Sequence, residues 1–147
     1  MGGISPAAYE IDPHYAMVID VNLAACPDTP KNETVEFRKG ISLSLSAATD
    51  IELTRATEKL CEEKNIAHTL IVSSSSTGTN ATSLNIVRGG VPTVDVGLPL
   101  KHMHTYNEVM CLEDAMSLCG LVEEFVKSKE IADRFNKDSA LFFGEEA

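Results

Sequence analysis

The chain has few basic residues, no long apolar run and no closely spaced cysteine pair. Its 12 Lys and Arg residues are outnumbered by 22 Asp and Glu residues over 147 positions, which gives a formal net charge of −10. Such a deficit of positive charge argues against binding to nucleic acid or to an anionic membrane surface. No apolar run approaches the roughly 20 residues of a membrane-spanning helix, and the N-terminal region lacks the basic leader of a signal peptide.

The four cysteines also exclude two classes of small protein. None of them forms a Cys-x-x-Cys pair, so a zinc ribbon is not expected, and four in a chain of this length do not make a disulfide scaffold. Cys61 and Cys119 fall within helix-like patterns, where thiols act as small core residues. No electropositive surroundings favour a catalytic thiol. We therefore expect four reduced thiols and a cytoplasmic protein.

Strand and helix patterns alternate along the chain. Strands are predicted at residues 15–21, 41–46, 69–72 and 92–98, and the strict alternation of 41–46 predicts one buried face. Helices are predicted from a capping box at Thr49 to about Asn65, over 80–87 and over 112–126. Residues 127–137 either extend the last helix or begin another. This order predicts an α/β layered domain.

Three polar side chains lie at or beyond the carboxyl ends of predicted strands, where ligands bind in open α/β sheets. Asp20 is a candidate metal ligand or base, and its structural alternative is a helix cap or turn residue. His102 and His104 follow the last strand, where an extended His-x-His segment would place both imidazoles on one side. Imidazole suits zinc and cobalt. The structural alternative is a pair of exposed loop histidines.

A serine- and threonine-rich segment, residues 73–80, leads from a predicted strand into a predicted helix. Free amides at such a turn can hold an anion or an oxyanion. The segment lacks the Gly-x-x-x-x-Gly-Lys pattern of a P-loop, so it gives little support to nucleotide binding. The alternative interpretation is a capped loop with surface serines.

Several separate motifs together resemble one enzyme family. They are Ser76-Thr77-Gly78-Thr79-Asn80-Ala81, Arg88-Gly89-Gly90-Val91-Pro92-Thr93, and Leu98-Pro99-Leu100-Lys101-His102-Met103-His104-Thr105 followed by Glu108-Val109. In this order they resemble the carboxyl half of the tetrahedral (TET-type) aminopeptidase family, the glutamyl and deblocking aminopeptidases that are often mislabelled endoglucanases. Upstream, Ile19-Asp20-Val21 and Lys39-Gly40 match as well.

The resemblance implies a three-layer α/β/α, zinc-peptidase-like (phosphorylase/hydrolase-like) catalytic domain. Residues 1–147 would be its carboxyl-terminal part, without the lid and dimerisation domain. Members of the family are aminopeptidases that use a pair of zinc or cobalt ions to hydrolyse peptides. By this resemblance Asp20 binds one ion, His104 binds the other, and Thr77, Gly78, Thr79 and Asn80 line the substrate site. His102 stands where the family usually has an aromatic residue, so it is not carried over.

The resemblance also indicates what this sequence lacks. The family's His-x-Asp motif, bridging aspartate and Glu-Glu pair all precede the present segment, and the pair would fall a few residues before Met1. The first glutamate of that pair is the general base. Asp20 and His104 would give one ligand per ion, whereas tight sites present three or four. We therefore expect the chain alone to bind metal weakly or not at all and to have no peptidase activity.

Three functions remain open at this point. The chain is a fragment or split half of a metallo-aminopeptidase, a non-catalytic relative that acts as a binding or assembly module, or an unrelated phosphate-binding domain. The lack of basic residues between Ser73 and Val87 argues against the third. Asp95 puts a charge in a strand that is usually apolar or small in the family, which bears on substrate preference. Expected partners are a peptide substrate, a missing amino-terminal half or a homo-oligomer.

Overall fold

The computed structural model describes residues 2–27, 29, 34–73 and 78–137. Its helices are α1 (Ile4–Ile11), α2 (Ile51–Glu63), α3 (Ala81–Leu84), α4 (Leu112–Lys127) and α5 (Lys129–Phe135), and a 3-10 turn spans Val87–Gly89. Its strands are β1 (Ala16–Leu23), β2 (Ile41–Leu45), β3 (His68–Val72), β4 (Thr93–Lys101) and β5 (Val109–Met110). The predicted alternation of strands and helices is confirmed.

The five strands form one mixed sheet in the order β1–β4–β2–β3, with β5 paired to β4. β1 runs parallel to β4, from Ala16 opposite Thr93 to Leu23 opposite Leu100. β2 is antiparallel to β4 and parallel to β3. β4 therefore lies between β1 and β2, and this central position explains why it is buried from Thr93 to Leu100.

Helices α2, α4 and α5 cover one face of the sheet with an apolar core. Leu43 of β2 and Val96 of β4 point into this core and are fully buried there. The ring of Tyr15 meets the ring of Phe125 edge to face, with 5.8 Å between their centroids. Burial of such side chains supplies most of the free energy that holds these helices on the sheet.

Helices α1 and α3 cover the opposite face with a smaller cluster that contains Ala8, Val18 and Ala81. The sheet is thus enclosed between two helical layers, and the expected three-layer α/β/α architecture is confirmed. None of the helices described above combines the length and the apolar content needed to cross a membrane.

Burial on β2 differs from the prediction that only one face would be buried. Ser42 and Ser44 are 1% and 3% exposed, because β2 is an inner strand and both hydroxyls make hydrogen bonds to β4, Ser42 to Gly97 and Ser44 to Asp95. Conversely β1 is less buried than expected. It is an edge strand, and Ile19 is 50% exposed.

The helix-capping prediction was wrong by one residue. The N-cap of α2 is Asp50, whose side chain accepts a hydrogen bond from the amide of Leu53 at 2.8 Å. Thr49 instead makes hydrogen bonds with the backbone of Ser46, which close the preceding turn. Aspartate is as good a cap as threonine, so the sequence pattern alone did not decide between neighbours.

Other local features also depart from the sequence-based predictions. The helix predicted over 80–87 breaks into α3 and the 3-10 turn, where Arg88 has a φ of 50°. Residues 129–135 form a separate helix, capped by Ser128, which settles the choice between an extension and a second helix. Cys119 is exposed rather than a core residue, whereas burial raises the pKa of the Cys61 thiol to about 12.

Helix α1 was not predicted at all. Its N-cap, Gly3, offers no side-chain hydrogen bond, and its C-cap is Asp12, a residue with a left-handed φ of 49°. Arg88 holds it in place: its Nε donates to the carbonyl oxygen of Tyr9 at 2.6 Å, and its guanidinium lies 4.0 Å from the centre of the Tyr9 ring. The helix therefore depends on contacts with residues far along the chain, which a local pattern does not reveal.

Candidate functional site

A cavity of about 500 Å³ opens beside β1, between the start of α1 and the residues that precede α3. Its walls are formed by Gly2, Gly3, Ile4, Ala7, Asp20, Gly78 and Asn80. Asp20 and the segment before α3 were predicted as site residues from separate motifs, and the structure places them on one cavity. Thr77, the first residue predicted in that segment, lies outside the described residues.

Asp20 lies on β1 directly opposite Gly97 of β4. Its carboxylate is half-buried, and Oδ1 accepts a hydrogen bond from the amide of Val21 at 2.8 Å. β1 continues to Leu23, so Asp20 lies within the strand rather than at its last position. The hydrogen bond orients the carboxylate at the cavity wall.

Thr79 connects the sheet to the segment that lines the cavity. Its hydroxyl donates to Oδ2 of Asp95 at 3.3 Å and accepts from the amide of Ala81, also at 3.3 Å. Both Thr79 and Asp95 are buried, at 8% and 2% exposure. Through this one hydroxyl, the central strand β4 is linked to the first residue of α3.

Asp95 was noted in the sequence only as an unusual charge in a strand, and its place behind the cavity was missed. The pKa of its carboxyl is raised to about 6, mainly by burial and in smaller part by the nearby charge of Asp20, while hydrogen bonds from Thr79 and Ser44 limit the rise. An acidic residue in an otherwise apolar strand was the available signal, because buried carboxylates need specific partners.

A second polar contact lies two residues along β1 from Asp20. The amide nitrogen of Asn22 donates to the hydroxyl of Ser42, which in turn donates to the carbonyl oxygen of Gly97 at 3.2 Å. Asn22, Ser42 and Asp95 all lie on the sheet face that is covered by α1 and α3. This face is polar near the cavity, whereas the opposite face is apolar throughout its core cluster.

His104 lies in the exposed turn between β4 and β5. The expectation that His102 and His104 share an extended segment was wrong, because their φ values of 58° and 66° are left-handed and turn the chain. The amide of His104 donates to Oε1 of Glu108 at 2.7 Å. His104 does not line the cavity, so the structure does not bring it together with Asp20 there.

Asp20 and His104 offer the types of donor atom that bind zinc or cobalt, but too few of them for a metal site. Carboxylate oxygen and imidazole nitrogen are both ligands of these metals. Within the described ranges, however, no group of three or more His, Cys, Asp or Glu side chains is placed to hold a metal ion. Asp20 and His104 do not by themselves complete a metal site.

A model of the M42 glutamyl aminopeptidase family matches residues 1–121. The chain belongs to the M42 glutamyl aminopeptidase family. The resemblance found in the motifs is therefore confirmed, together with the fold class that it implied.

Relatives of this M42 chain are considerably longer. Over 131 residues it is 24% identical to the lysyl aminopeptidase of Pyrococcus furiosus, covering 89% of this chain and 38% of that protein. An aminopeptidase from the archaeon Desulfurococcus kamchatkensis superposes with a TM-score of 0.81 at 23% identity, over 92% of this chain and 40% of the other. A TET aminopeptidase from a marine sediment archaeon of the Thaumarchaeota gives 0.81 at 25% identity, over 92% and 39%. The chain thus spans 38–40% of the length of these relatives.

Proposed function

We propose that this M42 chain is a fragment or split half of a metal-dependent aminopeptidase, a hydrolase that removes N-terminal residues from peptides. The observation that carries the proposal is the shared cavity. Asp20 comes from β1, Gly78 and Asn80 come from the segment before α3, and all three line the same space. The coverage of 38% of the Pyrococcus furiosus relative supports the view that the rest of the catalytic domain lies in another segment.

Each predicted site residue has a role in this proposal. Asp20 is a ligand for one ion of a metal pair, His104 is a ligand for the other, and Gly78 to Asn80 form a wall of the peptide site. When bound, such a pair polarises the peptide carbonyl and a water molecule. Gly2 and Gly3 also line the cavity. If a segment that carries the Glu-Glu pair preceded Gly2, that pair would lie close to Asp20.

The chain alone is proposed to be inactive. Hydrolysis needs a base to accept a proton from the attacking water. The family's base is a glutamate of the Glu-Glu pair, which has no counterpart in this sequence. One ligand per ion also binds a divalent metal only weakly, since tight sites present three or four ligands.

The proposal is tested by complementation. The purified chain is mixed with zinc or cobalt and with chromogenic glutamyl and lysyl substrates, alone and after co-expression with the part of the Desulfurococcus kamchatkensis aminopeptidase that this chain does not match. We expect no turnover by the chain alone and metal-dependent turnover by the pair. Turnover by the chain alone would contradict the proposed inactivity.

Two variants identify the residues responsible. Asp20→Asn and His104→Gln should each abolish the complemented activity, because each removes a metal ligand. His102→Gln is the matched control, since it changes a histidine two residues away that is not assigned as a ligand. Equal activity of the His102→Gln and His104→Gln variants would contradict the role of His104.

A non-catalytic binding or assembly module is the second candidate. It is favoured by several exposed apolar side chains in the segment that leads into α4 and in its first turns, namely Tyr106, Val109, Met110, Leu112 and Met116. A homo-oligomer is then the proposed partner. Failure of complementation, together with concentration-dependent self-association in analytical ultracentrifugation, would support this candidate. In either case the four free thiols favour a cytoplasmic location.

A further inference from the structure

Asp95 is a buried carboxylate that has no cationic partner within the part of the chain that the structure describes. Its side chain is 2% exposed, on the sheet face covered by α1 and α3. Every buried polar side-chain atom of the described residues has a hydrogen-bond partner, and for Asp95 the partners are hydroxyl groups. A buried charge is costly unless such donors hold it, so its presence at this point of the sheet calls for a role.

The contact with Thr79 indicates which part of the molecule Asp95 acts on. Thr79 is flanked by Gly78 and Asn80, both of which line the cavity that contains Asp20. The Thr79 hydroxyl also accepts from the amide of Ala81, where α3 begins. Asp95 thus acts on the segment that forms one wall of the cavity, and it does so from the rigid, central strand of the sheet.

We propose that Asp95 is a positioning residue of the candidate site: through the hydroxyl of Thr79 it holds the cavity-lining residues Gly78 and Asn80 beside Asp20. Asp95 does not line the cavity itself and acts only through Thr79. The relevance of this contact to peptide hydrolysis rests on the proposed function, whereas the contact itself is independent of it.

Hydrogen exchange of the full chain, followed by mass spectrometry, tests the proposal. Asp95→Val removes both acceptor oxygens and should accelerate exchange of the amides of residues 79–84 at least tenfold. Asp95→Asn keeps one acceptor oxygen and should restore most of the protection. The matched control is Asp114→Asn, which alters another buried aspartate that does not contact this segment. Unchanged exchange over 79–84 in Asp95→Val, or an equal acceleration in α2 and α4, would overturn the proposal.

A second variant guards against misfolding of Asp95→Val. Thr79→Val removes the hydroxyl while leaving β4 intact, and it should accelerate exchange over residues 80–84 in the same way. If Thr79→Val leaves that exchange at the wild-type rate, the hydroxyl does not transmit the effect and the proposal is wrong.

A cobalt titration separates this proposal from the proposed function. At millimolar Co²⁺ the amide resonances of Val21 and Asn80 should both broaden in the wild-type chain, because an ion at Asp20 lies near both. In Asp95→Val the Val21 signal should still broaden while the effect on Asn80 weakens. Unbroadened wild-type Val21 would contradict metal binding by Asp20, and the exchange experiment would still decide the role of Asp95.

Discussion

The side chains of Asn22 and Ser42 meet across the backbone of Gly97. Asn22 belongs to β1 and Ser42 to β2, and Gly97 lies on β4 between them. The Asn22 amide and the Ser42 hydroxyl are 2.5 Å apart, and a Cβ at position 97 would come within 2.1 Å of the Asn22 nitrogen. Glycine is therefore required here by close approach, next to the position where Asp20 meets the cavity.

Gly97→Ala is expected to destabilise the chain. The added methyl group would displace the Asn22 amide and the Ser42 hydroxyl in a buried region, at a cost of about 1–3 kcal/mol for overpacking. Urea unfolding followed by circular dichroism measures the loss. A variant as stable as the wild type would show that β1 and β4 can separate locally without cost.

Gly120→Ala is the matched control for that substitution. Gly120 lies inside α4, and the nearest atom to an added Cβ is Cδ1 of Ile66 at 4.0 Å. With space available, the change should stabilise the helix by about 0.5–1 kcal/mol. If the free energy of unfolding falls in Gly97→Ala and rises in Gly120→Ala, the loss at position 97 is due to close approach and not to a general effect of alanine.

Asp95 makes stability depend on pH in a defined direction. Its pKa is raised to about 6 in the folded chain from an ordinary value of 3.8. Between these values the folded state binds more protons than the unfolded state, so this residue makes the chain less stable as pH rises through the window. At pH values above this window, the buried charge of Asp95 lowers the free energy of unfolding by about 1–3 kcal/mol.

Asp95→Asn should therefore stabilise the chain at pH 7–8. The difference in free energy of unfolding between the variant and the wild type should decrease to a small, constant value below pH 4. Unfolding by urea at several pH values, compared between variant and wild type, isolates this one titration from the other carboxylates. A difference that stays constant from pH 4 to pH 8 would show that Asp95 titrates normally.

Asp114 joins the start of α4 to the loop before β2. Its side chain is 1% exposed and accepts from the amides of Arg38 at 3.0 Å and Gly40 at 2.8 Å. Asp114→Ala leaves these two donors unsatisfied and is expected to cost about 2–4 kcal/mol.

The control for Asp114→Ala is Glu123→Gln on the same helix. Glu123 forms an exposed pair with Lys127 one turn later, and such surface pairs contribute little. Urea unfolding should show no measurable change for Glu123→Gln. If Asp114→Ala also unfolds at the wild-type midpoint, the two amide contacts do not stabilise the fold.

Short apolar runs and one alternating segment predicted the four longer strands, and helical periodicity predicted α2 and α4. Asp20 and the loop before α3 were identified by motif resemblance, and their common cavity became visible only in three dimensions. Asp20 and Gly78 are far apart in sequence, and the packing of α1 and α3 on the sheet brings them together.

The features that sequence patterns missed depend on distant partners. α1 is held by Arg88, and β5 is a two-residue strand that exists through its pairing with Leu100 and Lys101. In the sequence Asp95 was only an unexpected charge in an apolar strand, because its hydrogen-bond partners, Thr79 and Ser44, lie elsewhere along the chain. Local propensity carries no information about such contacts.

The sheet order has a consequence for how the chain folds during synthesis. β4 is the last long strand in sequence, yet it separates β1 from the pair β2–β3. A ribosome adds roughly 5–20 residues per second, so the earlier strands wait for several seconds without their central neighbour. β1 and the pair β2–β3 can join into one sheet only after β4 has been made. Slow translation before Lys101 would therefore keep strand edges unpaired for longer and favour aggregation.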